Sequence, residues 1–139
     1  LQGKKSLEGR VSLPDQAGSF KREAAARPET APFGIPIDTQ ICDYVGPSGR
    51  IACNYAETSD WAPEGSGAGP SAILGNMVAA VEQAGGKIEG RVGEGSLVAA
   101  QGMLADGRQL LMWMNGKHFI ILVGSTQESL ASLCKALPF

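Results

Sequence analysis

A chain of 139 residues with 12 Lys+Arg, 14 Asp+Glu and a formal net charge of −2 has the size of one domain. Its slightly acidic balance argues against a grip on nucleic-acid backbones, which rests on clustered Lys and Arg displacing counterions. No apolar run approaches the ~18 residues of a membrane-spanning helix.

Residues 1–9 read as a flexible polar tail, followed by a single α+β domain over 10–139. The chain begins at Leu1 rather than Met and is rich in Gly and Ala, which favours a periplasmic or secreted protein, with tethering through a lipid anchor as one form of export. Three cysteines leave at least one unpaired, which pulls the other way and keeps a cytoplasmic location in view.

In chain order, Arg10 to Leu13 is a short apolar piece closed by Pro14, and Phe20 to Ala26 reads as an edge strand between Gly18 and Pro28. Prolines at 28, 32 and 36 make 28–36 an extended loop without regular pairing. Ile37 to Val45 and Arg50 to Glu57 form a hairpin around Gly46-Pro47-Ser48-Gly49. Pro47 cannot take the positive φ of a primed two-residue turn, so a bulged turn with Gly49 in the left-handed region is expected. That register puts Ile41, Val45, Ile51, Cys53 and Tyr55 on one face and Cys42, Tyr44, Arg50, Ala52 and Asn54 on the other. A tight two-residue turn would instead set Cys42 opposite Cys53, close enough to bridge.

Residues 60–70 hold two Pro, four Gly and Trp61, and read as a mobile loop. A helix follows, with Ile73, Met77, Val81 and Ala84 on one stripe, Leu74, Val78 and Ala80 at its margins, and Gly85-Gly86 as its stop. Lys87 to Val92 is a short strand candidate. Ser96–Leu104, Gln109–Met114 and Lys117–Val123 then form a three-stranded meander through Asp106-Gly107 and Asn115-Gly116, both suited to type I′ turns. Those turns pair Trp113 with His118 and place Val98, Ala100, Leu111, Trp113, His118 and Ile120 on one face. Leu97, Ala99, Leu110, Met112, Met114 and Phe119 fall on the other. Both faces are apolar, so both need cover.

Ser125 and Glu128 suggest a capping box opening a last helix with Leu130, Leu133, Cys134 and Leu137 on its apolar stripe. The expected fold is thus an antiparallel sheet, the C-terminal meander plus the N-terminal hairpin strands, covered by helices on both faces as an α/β/α sandwich. The alternative cover is a second copy of the chain, docking through a sheet face or edge.

The hairpin around Gly46-Pro47-Ser48-Gly49, the turns Asp106-Gly107 and Asn115-Gly116, and the helix over 126–137 give an element order that resembles the Mog1/PsbP-like fold group across Val11 to Leu137. The resemblance implies a non-catalytic accessory or binding protein, of a kind often exported, and transfers no functional residue.

Chemistry-bearing constellations are sparse. The one imidazole, His118, reads as a packing residue against Trp113, and no nucleophile-elbow motif accompanies it. Cys42, Cys53 and Cys134 form no C-x-x-C pair, and Asp38, Asp43, Glu57, Asp60 and Glu64 are too scattered for a calcium loop. The Gly-rich stretch 65–71 lacks the Gly-Lys-Ser/Thr ending of a phosphate loop and reads as a connector. Neither a cofactor nor a metal is therefore expected. A Cys53–Cys134 disulfide is compatible with the pattern, and so are buried thiols.

Loop aromatics remain as recognition candidates: Trp61 and Phe33, with Asp60 and Glu64 beside Trp61. The expected function is a small non-enzymatic accessory or binding domain that recognises a protein or small ligand through loops 28–36 and 60–70. A small hydrolase with a site near His118 and an inhibitor or immunity-type protein are the rival readings.

Overall fold

The computed structural model describes residues 13–23, 27–30, 38–47, 49–57, 70–94, 97–115 and 118–137. Among these residues nine strands and two helices follow one another as β1 (Gln16–Ala17), β2 (Phe20–Arg22), β3 (Arg27–Thr30), β4 (Asp38–Gly46), β5 (Gly49–Glu57), α1 (Pro70–Gln83), β6 (Lys87–Glu94), β7 (Leu97–Met103), β8 (Gln109–Asn115), β9 (His118–Gly124) and α2 (Gln127–Ala136). The strands make a single antiparallel sheet in the order β1-β2-β4-β5-β9-β8-β7-β6, with β3 paired to β4 beside that path.

This architecture corrects the expected α/β/α sandwich. Eight strands at about 4.8 Å spacing span about 34 Å, whereas one helix is only about 10–12 Å wide with its side chains. The 14-residue α1 lies across β6, β7 and β8, and the 10-residue α2 against β8 and β9. Each is a patch on a broad sheet, and neither forms a layer.

Two cores result. Under α1, Leu74, Met77, Val78 and Val81 meet Val98, Ala100, Leu110, Met112, Met114, Phe119 and Ile121. Met77 and Val81 of the expected stripe are buried, and the buried stripe shifts toward Leu74 and Val78, expected at its margins, while Ala84 is exposed. Under α2, Leu130, Leu133, Cys134 and Leu137 join a cluster that includes Cys42, Tyr44, Cys53, Tyr55, Trp113 and Ile120 of β4, β5, β8 and β9, with Ala17 of β1, Phe20 of β2 and Ala99 of β7. The α2 cap is Thr126 rather than Ser125, its side chain accepting from the Ser129 amide at 3.2 Å. Gln127 ties the start of α2 to the sheet through Nε2, donating to the carbonyls of Gly102 at 3.0 Å and Leu110 at 2.9 Å.

The turns depart from expectation in an informative way. Gly46 pairs directly with Gly49, so the first hairpin is tight, and Gly49 takes a positive φ of 121°. Cys42, Tyr44, Ile51, Cys53 and Tyr55 therefore share the buried face, with Asp43, Val45, Arg50 and Asn54 on the other. Conversely, the Asp106-Gly107 connection is a three-residue loop. Leu104 N–H donates to Arg108 O at 2.8 Å, Gly107 N–H to Leu104 O at 3.0 Å, and Gly107 takes φ 92°. That extra residue moves Leu97 and Ala99 to the Trp113 face and Val98 and Ala100 to the Met112 face. At the last turn Asn115 stays in the strand opposite His118, and Trp113 pairs with Ile120 rather than with His118.

β3 also overrides a sequence rule, since Pro28 pairs with Gln40 of β4. A proline is tolerated there because β3 is an edge strand, where a missing N–H leaves no inner ladder broken.

Candidate functional site

The α2-side face gathers nearly all the buried chemistry of the described residues. Cys42 and Cys53 are opposed on β4 and β5, both at 0% exposure. Tyr44, two residues along β4, donates its hydroxyl proton to the Pro14 carbonyl at 2.7 Å, which fixes the incoming segment over the strand. Arg22 of β2 sits over the same end: it pairs with Tyr44 in the ladder, donates to the Leu13 carbonyl at 2.7 Å and bonds Asp15.

These neighbours polarise the thiol pair. A hydrogen bond from Cys53 holds the Cys42 thiol below its ordinary value; burial opposes this and the nearby Arg22 charge assists it. The same hydrogen bond, with burial and the adjacent Cys42, pushes Cys53 well up. Burial, together with the two thiols, raises Tyr44.

Further along the face, the Tyr55 hydroxyl and His118 Nδ1 are hydrogen-bonded at 2.8 Å, with ring centroids 5.8 Å apart and planes 26° from parallel. His118 is 1% exposed and Asn115, opposite it, 2%. Ile120 lies between Tyr55 and Trp113 in adjacent ladders. The imidazole is thus a core group rather than the wall of a cleft.

Trp61, Phe33, Asp60 and Glu64 lie outside the described residues. Cys53 and Cys134 do fall in one buried cluster, but as thiols, and the residue opposite Cys53 is Cys42. Sequence reasoning missed the Tyr55–His118 bond, and it set the Cys42–Cys53 opposition aside in favour of a bulged turn. The available signal was the symmetric pair Gly46 and Gly49, which face each other across the hairpin with Gly49 at positive φ. No group of three or more His, Cys, Asp or Glu suited to a metal ion occurs among the described residues. Among them, too, no helix is long and apolar enough to cross a membrane.

No protein-family model, curated protein or solved structure matches the chain.

Proposed function

We propose that this chain is a small non-enzymatic binding domain, acting in an exported setting, that recognises a protein or small ligand through its 28–36 and 60–70 segments. The observation that carries this reading is topological. Thr30 ends β3 opposite Asp38 at the start of β4, and Glu57 ends β5 two residues beyond Tyr55, which pairs with Gln40. Thr30, Asp38 and Glu57, the described residues that border the two candidate segments, therefore lie at the same end of the sheet.

Two further observations support it. His118, Cys42, Cys53, Cys134, Tyr44 and Tyr55 are buried, which weighs against a hydrolase built on the one imidazole. The large hydrophobics exposed among the described residues are Val45 and Val92, on strands far apart in the sheet, so that part of the surface offers no broad apolar patch. The element order that resembles the Mog1/PsbP-like group points the same way, as analogy.

Affinity capture from the source extract with wild type, Trp61→Ala and Phe33→Ala tests the reading. A partner captured by wild type should be lost from both variants while the emission of the buried Trp113 stays unchanged. Equal recovery on all three would overturn it.

A further inference from the structure

We propose that Cys42 and Cys53 are an oxidisable pair that closes a cross-strand disulfide within the β4–β5 hairpin, leaving Cys134 as a thiol. Directly opposed residues of antiparallel strands lie about 4.5–5.5 Å apart at Cα. That separation falls inside the range of about 4.4–6.8 Å that a disulfide spans. The ladder continues unbroken on both sides, with Tyr44 opposite Ile51 and Ile41 opposite Asn54, so both thiols project to the same face. Cys134 belongs to the same cluster but comes from α2, a separate element packed over the sheet.

Burial decides when the bond forms. Both thiols are fully covered in the finished fold, so a bulky oxidant must reach them before α2 and the β2 edge close. The hairpin is local in sequence, and hairpins form in about 1–10 μs. Its thiols can therefore meet while α2, more than 70 residues further on, is still undocked.

The chemistry balances as thiol–disulfide exchange with a small disulfide such as oxidised glutathione. Cys42, as thiolate, attacks one glutathione sulfur, breaking that S–S bond and releasing one glutathione thiolate. Cys53 gives up its proton to solvent and attacks the Cys42 sulfur, forming the intramolecular bond and expelling the second glutathione. Two cysteine thiols are oxidised and one glutathione disulfide is reduced.

The proposal is independent of the recognition reading and is tested on the wild-type chain. The denatured, reduced protein is refolded in a buffer of reduced and oxidised glutathione, then alkylated under denaturing conditions for intact mass and peptide mapping. The titratable thiols should fall from three to one, so that the chain carries one alkyl group instead of three and, net of alkylation, weighs two hydrogens less. Because trypsin cleaves after Arg50, the Cys42 and Cys53 peptides should appear as a linked pair. Cys134→Ala should keep the same link. Three thiols retained, a stable glutathione adduct on Cys42 or Cys53, or a link to Cys134 would each overturn the proposal.

Discussion

The two faces of the sheet are built from different materials. Beneath α1 the contacts are made by Leu74, Met77, Val78, Val81, Met112, Met114 and Ile121, hydrocarbon and thioether groups that can repack. Beneath α2 they include Cys42, Tyr44, Cys53, Tyr55 and Trp113, with His118 bonded to Tyr55. Polar atoms on that second face must each find a partner at a fixed distance. The α1 face supplies buried area, whereas the α2 face supplies area and also specifies the register. A change in volume should be tolerated on the first, and a change in partner resisted on the second.

Trp113→Ala should expose this most strongly. Removing a fully buried indole costs on the order of 3–5 kcal/mol, read as a lowered urea midpoint. Alkaline stability should come next. The folded-state value of Tyr44 is raised above the ordinary 10.0, so its contribution is complete below that pH and is lost as pH climbs beyond it. The urea midpoint should therefore fall above about pH 10, and Tyr44→Phe should flatten that fall; an unchanged slope would place Tyr44 outside the core. Tyr55→Phe keeps the ring and strips the hydroxyl from His118, for an expected loss of about 1–3 kcal/mol. Met112→Leu, on the other face, should cost less than about 1.5 kcal/mol. If Met112→Leu proved the more damaging of this pair, the contrast between faces would fail. Least of all, Arg50→Ala should change stability by about 0–1 kcal/mol, because its pairs with Glu23 and Asp43 are solvent-exposed.

Much of this fold was legible as pattern, and what was lost was lost at turns. The helix opening at Pro70, the Gly85-Gly86 stop, the meander and the final helix all follow from apolar spacing and glycine placement. β3 was hidden because a proline rule for central strands was applied to an edge. The hairpin tips decided the rest. Taking Asp106-Gly107 as a two-residue turn omitted Ala105, and one residue was enough to exchange the two faces of β7. Taking Gly46-Pro47-Ser48-Gly49 as bulged had the same effect on the cysteines.

At Asn115-Gly116 the pairing moved by two positions in total, an even number. Trp113 and His118 therefore kept their common face and only exchanged partners. Parity explains why the meander's β8 and β9 faces were read correctly from a wrong turn, and why the Cys42–Cys53 opposition was not. The Tyr55–His118 bond joins strands 63 residues apart and lies beyond any local signal.

Register is what unites the thiol pair, the Tyr55–His118 bond and the division between faces, and cross-strand nuclear Overhauser contacts in the isotope-labelled protein measure it directly. Contacts of Cys42 with Cys53 and of the Tyr55 ring with the His118 ring, in one data set, are the expected result. Contacts pairing Val45 with Ile51 instead would place Cys42 and Cys53 on opposite faces and contradict it.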